Sequence, residues 1–222
     1  MLIKPNSYLY AYTIARDFGF APNPFHNCCT LATCKPGIRK SAKVDDWIIG
    51  IGGRNLKKNY RRCILLMKVT EKVSFQEYWD QERFSLKKPV RNGSNVMMLG
   101  DNIYHKDKIG AWMQEDSHHS NQDGSPNLDN LNQDTRTTDQ VLISKCFFYF
   151  GNKAQSVDLN SIGYKGGIRS YKKINLTASH KARDLITSIF CQNRNNLNIL
   201  MSDPCQFLES HERVNQKTGK KL

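Results

Sequence analysis

Segments with strand-like sequence patterns follow one another along this chain with few regular helices between them. In Ser7–Ala15 every second residue is a tyrosine or an isoleucine, and this period of two predicts a strand. Trp47–Gly53 predicts another strand, the apolar run Cys63–Val69 predicts a central strand covered on both faces, and Val141–Phe150 predicts a fourth. We therefore predict a β-rich α+β fold, with peripheral helices on a curved mixed sheet or small barrel, rather than a doubly wound parallel sheet.

Two segments carry helix signals. Ser74 and Glu77 have the spacing of a capping box, which predicts a helix that continues to about Asp80. Behind Ser179, a candidate N-cap, the apolar residues of 182–190 recur at helical spacing. The predicted helices are thus few and lie between or after the strands.

The length and composition are those of one compact domain. The chain has 222 residues, and its hydrophobic fraction of 39% is low but sufficient for a core. We predict a single domain over residues 1–214 and a basic flexible tail over 215–222. Within the domain, residues 100–139 are rich in Asn, Asp, Ser, Gln and His and predict a long polar loop, which is usually functional at this length. Val96–Leu99, just before it, is predicted as a short strand.

The chain is strongly basic, with 33 Lys and Arg against 20 Asp and Glu and a net charge of +13. Lysine and arginine side chains that neutralise phosphates release condensed counterions, so this balance favours a polyanionic partner. We expect that partner to be a nucleotide or a nucleic acid, either DNA or RNA. The candidate phosphate-binding residues are Lys35, Arg39, Arg54, Arg61 and Arg169.

The cysteines and the N-terminus bear on the cellular compartment. The seven cysteines have no regular spacing, and Cys28 and Cys29 are adjacent, which disfavours a disulfide scaffold. No segment approaches the ~20 apolar residues of a membrane span, and the first residues lack the apolar core of a signal peptide. We predict a cytoplasmic protein with reduced thiols and no membrane contact.

Histidine and cysteine residues within 26–34 suggest two kinds of chemistry. Their spacing does not match that of zinc ligands, so neither a metal nor another cofactor is predicted. A thiol nucleophile at Cys29 or Cys34, with His26 or His118 as its base, is an alternative.

The run 16–53 has a distinctive arrangement of phenylalanines, prolines, cysteines and glycines. Its recognisable parts are Arg16–Phe25, Cys29–Arg39 and Asp46–Gly50, and later parts are Gly100–Tyr104, Ser117-His118, Val141–Ser144 and Phe148–Gly151. Together these segments resemble the second of the nucleotide-modification-associated domain families, which are bacterial and phage proteins proposed to act near enzymes that modify bases. The resemblance implies an association with base modification, and with other proteins of such systems, but no settled reaction.

A weaker resemblance concerns residues 42–73. The acidic turn Val44–Trp47 and the segment Lys68–Glu71 are similar to parts of PUA-like, ASCH and EVE-type barrels. In those barrels a pocket holds a base, often a modified one. This resemblance implies a small barrel, although fold analogy alone does not determine function.

Aromatic and amide side chains are the candidates for contacts with a base. Aromatic rings can stack on any base, and an asparagine held between two prolines presents a fixed amide to a base edge. The candidate base- or nucleotide-binding residues are Phe18, Phe20, Asn23, Trp47, Asn102, Tyr104 and Ser117.

Carboxylates and a histidine are the candidates for catalysis. Asp17 and Asp101 follow predicted strands and can act as general bases, and His118 can transfer a proton near neutral pH.

Three hypotheses for the function therefore remain open. The protein is a module that binds a nucleotide or modified base, an enzyme (a transferase or glycosidic-bond hydrolase) that uses these three residues, or a non-catalytic partner in a phage-defence or modification system. The enzyme hypothesis requires the three side chains to converge within hydrogen-bond distance.

Overall fold

The computed structural model describes residues 2–167 and 170–222. Its elements, in chain order, are β1 (Tyr8–Ile14), β2 (Cys29–Leu31), α1 (Pro36–Ser41), β3 (Trp47–Gly52), β4 (Cys63–Lys68), β5 (Glu71–Ser74), α2 (Phe75–Asp80), α3 (Asn95–Met98), β6 (Tyr104–Lys106), β7 (Trp112–Gln114), α4 (Leu128–Thr135), β8 (Gln140–Ser144), β9 (Phe147–Tyr149), β10 (Tyr171–Asn175), α5 (His180–Asn193), β11 (Val214–Asn215) and β12 (Lys220–Lys221). Short 3₁₀ turns lie at Arg54–Asn59, Glu82–Lys87, Gly151–Lys153, Arg194–Asn196 and Phe207–Glu209.

A mixed sheet with the strand order β10-β1-β3-β4-β9 forms the centre of the fold. Strands β1 and β3 are parallel, with Leu9 opposite Trp47 and Ile14 opposite Gly52, and the other pairs in this sheet are antiparallel. The two parallel strands therefore end at the same edge of the sheet. A smaller antiparallel sheet, β2-β8-β5, forms a second layer.

Both faces of the central sheet are buried. Because successive strand residues point to opposite faces, Ile49 packs toward α5, whereas its neighbour Ile48 packs toward the second layer. The same alternation in β4 places Leu66 on the α5 side and Leu65 on the other. The prediction of a central strand covered on both faces is confirmed for β4.

Local capping signals in the sequence are confirmed. The Ser74 side chain accepts a hydrogen bond from the Glu77 backbone N–H, and the Glu77 carboxylate accepts one from the Ser74 N–H at 2.7 Å, so α2 begins with a complete capping box. The Ser179 side chain likewise accepts from the Ala182 N–H at the start of α5.

Two strand predictions were wrong in detail. The apolar run Val141–Phe150 is divided between β8 and β9, which belong to different sheets, because the Ser144 side chain bonds the backbone of Cys146 and turns the chain. The segment predicted as the strand Val96–Leu99 lies largely in α3, whose first turn is capped by the Ser94 hydroxyl.

The fold class is a mixed α/β arrangement of several sheets with few helices. Within the described residues no sheet closes on itself, so the resemblance to PUA-like barrels gains no support from the fold. The polar segment 100–139 contains β6, β7 and α4 rather than one long loop, and the predicted tail pairs in the hairpin of β11 and β12. The Val214 backbone N–H donates a hydrogen bond to the His118 carbonyl at 2.9 Å and so attaches this hairpin to the domain.

In the part of the chain that the structure describes, every helix is too short or too polar to cross a membrane.

The contact between the central sheet and α5 makes a stability prediction. Leu66 is fully buried there, so Leu66→Ala should lower the free energy of unfolding by about 2 to 5 kcal/mol through lost apolar burial and an unfilled cavity. Leu86, which is 67% exposed, provides the matched control, and Leu86→Ala should change it by less than about 0.5 kcal/mol. If urea denaturation showed the same loss of stability for Leu66→Ala and Leu86→Ala, this packing would be contradicted.

Candidate functional site

The Asp134 carboxylate of α4 lies at the centre of a buried polar cluster. Its Oδ1 atom accepts a hydrogen bond from the Cys34 backbone N–H at 2.7 Å and lies 3.7 Å from the Arg39 guanidinium. Its Oδ2 atom accepts bonds from the Tyr104 hydroxyl at 3.0 Å and the Gln216 side-chain amide at 2.9 Å. These donors come from parts of the chain that are far apart in sequence, so the Asp134 carboxylate holds these parts together.

His119 completes this cluster and connects it to a thiol. The imidazole Nδ1 lies 3.2 Å from Asp134 Oδ2, and Nε2 lies 3.9 Å from the Cys34 sulfur. Burial alone would lower the pKa of His119, but the hydrogen bond with Asp134 and the neighbouring Cys34 raise it to about 9. In turn, burial would raise the pKa of Asp134, but His119 and Arg39 hold it below its usual value. A protonated imidazole and an ionised carboxylate are thus paired inside the protein.

Cys34 lies on the turn that joins β2 to α1. It has a positive φ of 58° and is half-buried, whereas His119 and Asp134 are buried. Positive φ is uncommon for a residue with a side chain and calls for strong local support. That support includes the Cys34 N–H bond to Asp134 and the bond that Arg39 Nε donates to the Cys34 carbonyl at 2.8 Å.

Arg39 was predicted to bind phosphate at the surface, but it lies in the protein interior. The side chain is fully buried and donates to the backbone carbonyls of Cys34, Gln140 and Asp134. Because its donors are used inside the protein, Arg39 is not part of a basic surface. Tyr104 and Ser117, predicted as base contacts, belong to the same interior region, where Ser117 Oγ accepts from the His119 N–H at 3.3 Å.

A second buried network holds Asp101 and Asn23. Lys87 Nζ donates to Asn23 Oδ1 at 2.8 Å and to the Cys28 carbonyl at 2.9 Å. Asp101 accepts from the Thr30 hydroxyl at 2.6 Å and the Tyr78 hydroxyl at 2.8 Å. The Asn23 and Asn102 amides donate to backbone carbonyls, those of Leu99 and Tyr78 respectively, both at 2.8 Å. Their hydrogen bonds order the chain around residues 23–30.

Asp17 and His118 occupy other interior positions. Asp17 accepts bonds from the Tyr149 hydroxyl and the Cys205 N–H, and burial raises the pKa of its carboxyl. The His118 ring packs against Phe18 and Phe20, with centroids 4.6 and 5.0 Å away, and burial lowers its pKa. Trp47, the other predicted stacking residue, is buried in the core against α5.

The three predicted catalytic residues have different partners in the structure. In the part of the chain that the structure describes, no hydrogen bond joins any two of Asp17, Asp101 and His118, and both carboxylates are bonded to other groups. The geometry therefore gives no support to an enzyme built on this set, and their catalytic role stays a prediction.

A surface cleft lies where β1 and β3 end. It has a volume of about 400 Å³ and is lined by Arg54, Arg61, Lys165, Tyr60, Tyr164 and the glycine pairs 52–53 and 166–167, with Thr13 beside them. The Thr13 and Tyr164 hydroxyls are 2.7 Å apart. No Asp or Glu is among its described lining residues. We call this feature the basic cleft.

Of the predicted phosphate-binding residues, Arg54 and Arg61 line the basic cleft. Lys35 lies elsewhere, with its ammonium 5.4 Å from the centre of the Tyr12 ring. Arg169 lies outside the described residues.

Sequence patterns missed several residues of both features. Tyr60, Tyr164 and Lys165 were not predicted as site residues, although the last two lie in the Gly-rich basic segment 163–173. In the buried cluster His119 was missed because its neighbour His118 matched the family-like Ser-His pair. Asp134 gave no signal beyond its place in a polar segment.

The fold and these two features define a mixed α/β domain with a buried polar cluster and a basic surface cleft. The model of the family described as nucleotide modification associated domain 2 matches residues 6–211, and the chain belongs to this family. The match includes Cys34, His119, Asp134 and the basic cleft, whereas Gln216 lies beyond it. No curated protein and no solved structure matches the chain. The family's description associates the chain with nucleotide modification.

The His119 pKa makes folding stability dependent on pH. Because its pKa rises from 6.5 to about 9 on folding, the stabilisation is fully present below pH 6.5 and is lost as the pH rises through about 9. We expect the wild-type free energy of unfolding to fall by on the order of 3 kcal/mol over this range, and His119→Gln to remove most of that slope.

The neighbouring histidine provides the control. The pKa of His118 is lowered on folding, so the stability that this residue contributes is lost at acid pH. In His118→Gln the free energy of unfolding should therefore still fall at alkaline pH as it does in the wild type. If the free energy of unfolding falls equally at alkaline pH in the wild type and in His119→Gln, this pH dependence does not come from His119.

Proposed function

We propose that the protein binds a nucleotide, either free or as a unit of a nucleic acid, in the basic cleft and acts in this way in nucleotide modification. The observation that carries the proposal is the charge of the cleft. Arg54, Arg61 and Lys165 line it, and no acidic residue among the described lining residues opposes them. Such a cleft attracts anions, and phosphate is the anion that arginine recognises with paired hydrogen bonds.

The other lining residues suit the rest of a nucleotide. Tyr60 is 44% exposed at the cleft, and an exposed aromatic ring offers a stacking surface for a base. The hydroxyls of Thr13 and Tyr164 offer hydrogen bonds to a sugar or base edge. A volume of about 400 Å³ lies within the range of small-molecule sites.

The position of the cleft in the sheet supports the same proposal. In open sheets that contain parallel strands, ligands commonly bind beyond the carboxyl ends of those strands. The cleft lies at the shared end of β1 and β3, where Ile14 and Gly52 are opposite each other. At Gly166, φ is +93° and an added Cβ atom would meet no described atom within 4 Å, so there is free space beside this part of the lining.

The hypothesis of base binding is thus retained, with a different set of residues. Among the predicted contacts, Arg54 and Arg61 remain in the proposal. Phe18, Phe20, Asn23, Trp47 and Asn102 are buried in the protein and do not line the cleft. A cytoplasmic location, and association with other modification proteins, are consistent with nucleotide binding and are proposed with it.

Binding of fluorescein-labelled single-stranded DNA, and competition by unlabelled nucleoside monophosphates, test this proposal. We expect Arg54→Ala and Arg61→Ala each to weaken binding about tenfold or more, since a hydrogen bond to a charged group contributes about 1.5 to 3 kcal/mol. The affinity of the DNA should also fall steeply as salt is raised.

Arg136 is exposed and outside the cleft, so Arg136→Ala is the matched control and should bind as the wild type does. Competition by the monophosphates shows that a single nucleotide is sufficient, whereas competition only by DNA assigns the site to the polymer. Equal affinities for all three variants and the wild type, or a flat response to salt, would contradict nucleotide binding in the cleft.

A further inference from the structure

We propose that Cys34, His119 and Asp134 form a catalytic triad in which the Cys34 sulfur accepts an acyl group from an ester or amide. The triad lies outside the basic cleft, and the proposal does not depend on nucleotide binding there. It rests on the order of the atoms. The Cys34 sulfur lies 3.9 Å from His119 Nε2, and the other ring nitrogen lies 3.2 Å from Asp134 Oδ2. A nucleophile, a base and a group that orients the base are thus arranged in sequence.

The orientation of His119 is fixed from several directions. Asp134 is held by Cys34, Tyr104 and Gln216, so its carboxylate cannot turn away from the ring. The Phe20 ring lies edge-on to the imidazole, with centroids 4.7 Å apart. The His119 N–H is bonded to Ser117 Oγ, and its carbonyl accepts from the Asn130 amide at 2.8 Å. A base held in one rotamer by packing and hydrogen bonds meets the requirement of an acyl-transfer site for a fixed geometry.

Cys34 differs in its surroundings from the buried cysteines. Cys28, Cys29 and Cys63 are buried, and burial raises the pKa of each thiol, which keeps it neutral. Cys34 is half-buried and has an imidazole at its sulfur. It lies at a positive φ on the turn between β2 and α1.

A buried hydroxyl belongs to Tyr12, whose ring centre lies 5.4 Å from the ammonium of Lys35, the residue after Cys34. The Tyr12 hydroxyl is buried and has no hydrogen-bond partner among the described residues. After burial itself, the nearby thiols of Cys29 and Cys34 are the largest causes that raise the pKa of Tyr12. A neutral hydroxyl with an unused proton is suited to donate to the oxyanion that forms when the sulfur attacks a carbonyl.

The reaction balances with water as the only co-reactant. The Cys34 sulfur attacks the carbonyl carbon and forms a C–S bond, the bond to the leaving group breaks, and the thiol proton passes through His119 to the leaving alcohol or amine. The oxygen of water then attacks the thioester, and a proton of that water passes through His119 to the sulfur. The C–S bond breaks, the carboxylic acid leaves, and the Cys34 thiol is restored.

p-Nitrophenyl acetate, an activated ester, is the probe that tests the triad, and the assay contains no nucleotide. We expect a burst of p-nitrophenolate of up to one equivalent per protein, and mass spectrometry of the peptides should place the acetyl group on Cys34. Cys34→Ser should abolish the burst. His119→Gln should slow acetylation of Cys34 about 100-fold or more, since a positioned base contributes about 10² to 10⁴ in rate.

Cys191 is exposed on α5, so Cys191→Ser is the matched control and should keep the full burst. Circular dichroism shows whether each variant is folded. Should His119→Gln fail to fold, Tyr12→Phe replaces it and should slow acetylation while leaving the protein folded. Acetylation of Cys191 in preference to Cys34, or an equal burst in the wild type and Cys34→Ser, would overturn the proposal.

Discussion

A single buried carboxylate, that of Asp134, joins parts of the chain that no regular element connects. It accepts hydrogen bonds from the Cys34 backbone, the Tyr104 hydroxyl and the Gln216 amide, and it pairs with His119 and Arg39. A charge taken out of water costs several kcal/mol unless it is paired and hydrogen-bonded, so these groups must be in place whenever the carboxylate is buried. The turn at Cys34, the polar segment 100–139 and the C-terminal hairpin are therefore folded as one unit.

The central sheet separates this buried cluster from the basic cleft. The turn at Cys34 follows β2, which packs in the layer on one face of the sheet, and the cleft lies at the edge where β1 and β3 end. The two features differ in chemistry. The cluster is a set of bonded groups around one charge pair, whereas the cleft offers three cations without acidic partners among its described residues. The family match over residues 6–211 covers Cys34, His119, Asp134 and the basic cleft.

Local and periodic signals in the sequence predicted much of the fold. The alternation in β1, the apolar run of β4 and the capping box at Ser74 depend on neighbouring residues, and the sequence shows neighbours directly. The family was recognised from the same kind of local pattern.

The site was harder to predict because its residues meet only after folding. His118 and His119 are adjacent in sequence, but one ring packs between phenylalanines and the other faces Asp134 and Cys34. Polar composition indicated a loop at 100–139, and it could not show that these side chains are buried and bonded to one another.

The most direct test of this account is the pKa of His119, measured by nuclear magnetic resonance titration of its ring nitrogens in the wild type and in Asp134→Asn. The account predicts a value of about 9 in the wild type. In Asp134→Asn it predicts a lower value, because only Cys34 then opposes the effect of burial on the His119 pKa. Backbone amide shifts of the central sheet show whether the variant has kept its fold. A His119 pKa that is the same in both folded proteins would contradict the central position of Asp134.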